Sequence, residues 1–129
     1  MTQQDIEKVF KKPGERRYDL FIKEIVKNEE VYGIVDDEGW TLLGDDNDTD
    51  ILPLFHTAEL ANAFRIGQGY DDAQVGVLDA AELMDWLEDM ESEGMMVAVV
   101  PNLHLNGAVV SANHLMNDLQ EAFDKEEDR

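Results

Sequence analysis

Apolar side chains recur along this chain at two spacings, and the switching between them lays out its elements. Ile6, Val9 and Phe10 stand three and four residues apart or side by side on one face, which predicts a short helix over residues 3–11. Pro13-Gly14 stops it. Tyr18, Phe21, Ile22, Ile25 and Val26 form a stronger amphipathic stripe over about 15–28, a helix that must pack on something. The period then shortens. Val31 to Val35 and Trp40 to Leu43 are β-rich runs around the turn Asp36-Asp37-Glu38-Gly39, which predicts a hairpin. Ile51 to Phe55 reads as a third strand, and Pro53 places it at a sheet edge or a bulge.

The second half alternates. Thr57 is an N-cap for a helix carrying Leu60, Ala61 and Phe64 and closing near Gly67. Val75 to Leu78 is a strand. Asp79 with Glu82 resembles a capping box, and Leu83, Trp86, Leu87 and Met90 give the next helix its stripe until Gly94. Met95 to Val100 is continuously apolar, the mark of a central strand buried on both faces. Ala108 to Ser111 is the last strand. Leu115, Met116, Leu119, Ala122 and Phe123 line a C-terminal helix, with residues 124–129 expected to fray. The order α-α-β-β-β-α-β-α-β-β-α predicts one α+β domain over residues 1–129: a mixed or antiparallel sheet of about five to six strands covered by helices, with an N-terminal basic arm over 1–14.

Charge changes this picture more than size does. Residues 1–27 hold seven basic and five acidic side chains, +2; residues 28–129 hold three and twenty-five, −22. Apolar content of 43% is ordinary, so the acids are added to a normal core supply and disorder is not expected outside the ends. A body this acidic repels nucleic-acid phosphates and anionic lipid, so neither direct nucleic-acid binding nor a membrane surface is expected. Three uses of the acids stay open: solubility, attraction of a basic partner, and imitation of nucleic acid. With no cysteine, disulfides and thiolate chemistry are excluded. Met1 to Asp5 shows no secretory pattern and the longest apolar run is six residues, so a cytoplasmic protein is expected.

Candidate chemistry is sparse. The loop Asp45-Asp46-Asn47-Asp48-Thr49-Asp50 is the obvious cation candidate, but counting from Asp45 puts Asp50 at the sixth position and His56 at the twelfth. An EF-hand needs Gly and Glu there, so a solvated loop is the simpler reading. His56, His104 and His114 lack the close spacing of zinc ligands; His56 reads as a partly buried, hydrogen-bonded side chain at a strand end that could titrate near neutral pH. Ser111 near His114 reads as a helix N-cap, with Asn113 its rival, and no nucleophile turn is present. The scattered glycines make no phosphate-binding fingerprint. With thirty acids, no carboxylate pair can be singled out for acid–base work. No catalytic residue, metal or cofactor is assigned.

Two surfaces remain. Tyr32, Trp40, Asp45, Asp46, Phe55 and His56 could line a groove for a ligand or a partner, although aromatics at core spacing are more often packing residues. Lys11, Lys12, Arg16 and Arg17 could dock an anion or a second copy of the chain, or lie against the acidic body and relieve its repulsion.

An ordered set of short motifs resembles a known family. Tyr18-x-x-Phe21-Ile22-Lys23-x-Ile25 leads into Val31-Tyr32, then Gly39-Trp40-Thr41-Leu42-Leu43-Gly44-Asp45-Asp46. Leu52-Pro53-Leu54-Phe55, Ala61, Trp86-Leu87 and Met90 follow. Gly94-Met95-Met96-Val97-Ala98-Val99-Val100-Pro101 and Gly107-Ala108-Val109-Val110 complete it. The chain thereby resembles the DUF2750 family of small uncharacterised bacterial proteins from about Tyr18 to Leu119. It departs where the family tends to have Trp-Pro, here Phe55-His56, and in having no basic residue between Arg65 and Lys125. The resemblance implies no activity, cofactor or catalytic residue. The expectation is therefore a non-catalytic protein that binds an unidentified macromolecule, basic by charge, or pairs with itself as a homodimer. The alternative is a small-ligand site or an enzyme near Trp40, Asp45 and His56.

Overall fold

The computed structural model of the chain describes residues 1–44, 49–102 and 108–127. Helix α1 (Gln3–Lys11) begins at a reciprocal cap, with Thr2 Oγ1 accepting from Asp5 N and Asp5 Oδ2 accepting from Thr2 N. Helix α2 (Gly14–Asn28) follows at once after Pro13. Strand β1 (Glu30–Asp36) turns through Asp37-Glu38 into β2 (Gly39–Trp40), and Gly39 takes a φ of +117°, a conformation that only glycine adopts without strain. Next come β3 (Leu43–Gly44), β4 (Asp50–Leu54), α3 (Ala58–Gly67), β5 (Gln74–Asp79), α4 (Ala80–Ser92), β6 (Met96–Val99), β7 (Ala108–Ser111) and α5 (Ala112–Glu127). The caps read from sequence are made. Thr57 Oγ1 accepts from Leu60 N, Asp79 Oδ1 from Glu82 N, and Ser111 Oγ, not Asn113, from His114 N.

The fold is α+β, and its strands divide between two sheets. β2-β1-β5 is wholly antiparallel; β3-β4-β6-β7 is mixed, with β4 and β6 parallel. Among the described residues a single bridge joins them: Tyr32 and Phe55 exchange backbone hydrogen bonds of 2.9 and 2.8 Å. The division arises in the run expected to be one strand, Trp40 to Leu43. Gly39–Trp40 pairs with β1, the chain leaves after Thr41 N donates to Ile34 O, and Leu43–Gly44 pairs with β4. One predicted strand thus becomes two that serve different sheets.

Pro53 sits inside the mixed sheet, yet locally at an edge. Leu54 O accepts from Val100 N, on the β6 side, while Phe55 faces Tyr32 on the other. Strand alternation turns the donorless Pro53 nitrogen to that second side, between the end of the β3 pairing at Ile51 and the bridge at Phe55. β6 is the central buried strand its apolar run predicts. One core gathers Phe21 and Ile25 of α2, Val31 and Ile34 of β1, Leu60 and Phe64 of α3, Leu83 and Leu87 of α4, and Leu115 and Leu119 of α5. The C-terminal segment expected to fray is helical through Glu127. The half-buried Phe123 packs on the core, and Gln120–Asp124 and Glu121–Lys125 pair one turn apart.

Candidate functional site

The groove expected from Tyr32, Trp40, Phe55 and His56 does not assemble. Trp40 pairs with Val35, so it shares a face with Val31, Gly33 and Val35, while Tyr32 lies on the opposite face. The Tyr32 hydroxyl donates to Glu30 Oε2 at 2.7 Å. Phe55 is fully buried against Phe64, ring centroids 5.3 Å apart. His56 is 4% exposed, beside the edge of Phe21 on α2. Among the described residues its Nδ1 has no hydrogen-bond partner, and burial pulls its pKa down to about 4, against a smaller upward pull from Glu24. It is therefore neutral at physiological pH, where hydrogen bonding and titration near neutrality had been expected. Asp45, Asp46 and His104 lie outside the described residues.

The basic patch loses a member. Arg17 is 3% exposed; its guanidinium donates to Val100 O at 2.9 Å, to Phe10 O at 3.1 Å and to Lys12 O. It ties the end of α1 to the end of β6, where Val100 holds a left-handed φ of +47°. Lys11, Lys12 and Arg16 stay exposed and, among the described residues, make no ion pair with the acidic body. The spacing signal for Arg17 was present: Arg17, Phe21 and Ile25 fall one turn apart on one stripe.

Trp40 has neighbours that sequence reading did not give it. Gly33 and Gly76 are direct partners across β1 and β5, and the indole of Trp40 lies over both. A Cβ on Gly33 would stand 2.4 Å from Cζ3 and 2.7 Å from Cε3 of the ring; one on Gly76 would stand 3.4 Å from Cζ2. Two strand glycines thus make the seat of one tryptophan. Trp86 of α4 meets it edge to face, centroids 5.3 Å apart and planes 84° apart. Beside this pair opens a surface cavity of about 240 Å³, lined by Trp40, Leu42, Leu52, Trp86, Met90 and Met95 and rimmed by Asp89 and Glu93. It lies where the chain crosses between the sheets, which is why Leu42, in the crossing, reaches it. Trp86, Asp89, Met90 and Glu93 follow at i, i+3, i+4 and i+7, one stripe running from α4 into its C-cap.

Other features organise less. A larger apolar groove of about 440 Å³ runs between α1 and α3 over Ile6, Phe10, Ala63 and Ile66, its flanking Glu7 and Lys11 opposite in sign. Tyr18 donates its hydroxyl to Asp118, which also lies 3.2 Å from His114 Nε2; burial and then Asp118 raise the pKa of Tyr18 well above its usual value. Among the described residues no group of three His, Asp or Glu side chains could hold a metal ion, and no helix is long and apolar enough to cross a membrane.

Fold and cleft together define a small α+β protein with an aromatic, acid-rimmed recess at the junction of two sheets. The family model for "Protein of unknown function (DUF2750)" matches residues 18–119, and the chain belongs to that family. Every cleft residue lies inside the matched segment; the groove under α1 straddles its boundary. No curated protein matches the chain.

Proposed function

We propose that this protein is a non-catalytic binding protein and that the Trp40–Trp86 cleft receives a basic segment of another protein. The observation that carries this is the composition of the recess: a preformed aromatic floor with carboxylates at its lip, on a body of net charge −22. Apolar area gives contact energy, and fixed negative charge selects the sign of the partner and speeds encounter. The glycine seat holds Trp40 in place before binding, which lowers the ordering cost. A catalytic or small-ligand site built on Trp40 and His56 has less behind it, because His56 is buried against α2 and Trp40 faces α4.

The chain's two tryptophans are both in the cleft, so intrinsic fluorescence reports on it directly. Titration with a short peptide carrying basic and leucine residues should give a saturable change that weakens as salt rises. An acidic peptide of the same length should give none. No change with the basic peptide at low salt removes the proposal. A second copy also offers a basic segment, the exposed corner of Lys11, Lys12 and Arg16. Sedimentation at low salt tests that arm: a concentration-dependent dimer lost on substituting the three residues supports it, and a monomer throughout rejects it.

A further inference from the structure

The end of α4 narrows what part of a basic partner enters the cleft. The last turns of this helix and its cap carry Glu88, Asp89, Glu91 and Glu93, with no basic residue in the last turn. A helix C-terminus already presents the negative end of the peptide dipole, so carboxylates are disfavoured there unless a cation joins them. Glu91 is accounted for, since its Oε2 accepts from Asn113 N at 2.8 Å at the start of α5. Asp89 and Glu93 are not. Among the described residues neither carboxylate has an ion-pair or hydrogen-bond partner, and both line the cleft beside the half-buried Trp86.

We infer that the cleft is an anchor site for a single arginine side chain of the partner, its guanidinium laid on the indole surface with donors turned to Asp89 and Glu93. This rests on reading the cleft as a partner site. A guanidinium is planar and weakly hydrated, stacks on aromatic faces and presents a fork of donors that fits carboxylates. Its methylene stem can lie along Leu42, Met90 and Met95. An ammonium is a strongly hydrated point charge without a flat face, and it uses an aromatic corner less well. A recess of about 240 Å³ holds a side chain, not a strand or a helix.

The test uses three blocked pentapeptides with one central residue between leucines: arginine, lysine, or citrulline, which keeps the shape of arginine without its charge. The readout is the pair of indole Nε1–H resonances. The arginine peptide should shift both and bind about tenfold more tightly than the citrulline one. The double variant Asp89→Asn, Glu93→Gln, at exposed positions, should bring the arginine peptide down to the affinity of the citrulline one. Equal binding of arginine and citrulline, or of arginine and lysine, overturns the guanidinium assignment while the partner cleft stands. If no peptide moves either indole, the cleft reading falls with it.

Discussion

His56 ties the stability of this fold to pH in a way that can be worked out beforehand. In the unfolded chain its imidazole has the ordinary pKa of 6.5; in the fold burial brings it to about 4. Between those values the unfolded state binds a proton that the folded state refuses, so stability rises with pH across this window. The contribution is fully present above pH 6.5 and shrinks as the pH falls toward 4. At pH 4.5 the loss is about 2–3 kcal/mol relative to pH 7.5, from the two pKa values and the linkage relation. For a chain of this length that is about 9 °C in Tm.

The perturbation is His56→Leu, nearly isosteric and suited to a site 4% exposed beside Phe21. Mutual repulsion among the thirty acidic side chains also depends on pH and acts in the opposite direction. That effect is common to both proteins and cancels in the difference. Denaturant unfolding of both at pH 7.5, 6, 5 and 4.5 gives the quantity wanted, the gap between the two curves. The gap should open in favour of the variant by about 2–3 kcal/mol. Parallel curves would refute the reasoning, as would a His56 ring resonance titrating near 6.5 in the folded protein.

Two further substitutions test the scaffold. Gly33→Ala puts a methyl into the six-membered ring of Trp40, which cannot swing aside as a flexible chain end could; it should cost about 1–3 kcal/mol and alter the near-ultraviolet dichroism of the tryptophan pair. Gly76→Ala should carry a similar cost, because its Cβ would stand 2.3 Å from Cγ2 of Val35, a side chain stiff at χ1, but with the ring 3.4 Å away it should leave the dichroism nearly unchanged; unchanged dichroism for Gly33→Ala would mean Trp40 is not seated on β1. Arg17→Met takes the donor from three carbonyls at the α1–β6 junction and should cost about 3 kcal/mol by thermal or denaturant unfolding, where a change under about 1 kcal/mol would show that the junction does not depend on it.

Much of the fold is legible in the sequence because local rules wrote it. The helical stripes, the caps at Thr57, Asp79 and Ser111, the glycine stop at Gly94 and the buried run of β6 each follow from a few adjacent residues. What could not be read depends on register. Gly33 and Gly76 are 43 positions apart and become one seat only when β1 and β5 pair in a particular alignment. Trp40 to Leu43 is apolar enough for one strand, and only competition between two sheets for its ends divides it. Arg17 lay on the buried stripe of α2, but the basic run around it read as a surface patch because charge usually marks exposure. On α4 the pattern Trp86, Asp89, Met90, Glu93 was visible as a face mixing aromatics with acids. Core periodicity claimed Trp86, and the acids were lost among twenty-eight others.

That dilution bears on how the acidic surface and the cleft can work together. A carboxylate far from the recess acts through solvent, and its pull on a basic partner fades over roughly 8 Å at physiological ionic strength. Asp89 and Glu93 are exposed beside an apolar recess, and a docked cation would stand within hydrogen-bond distance of them, well inside the screening length. On the proposed reading salt should slow association, governed by the whole surface, far more than it speeds dissociation, governed by the cleft. The charge of the body and the chemistry of the recess are, on that reading, separable: neutralising distant acids should lower the encounter rate, and neutralising these two should shorten the lifetime of the complex.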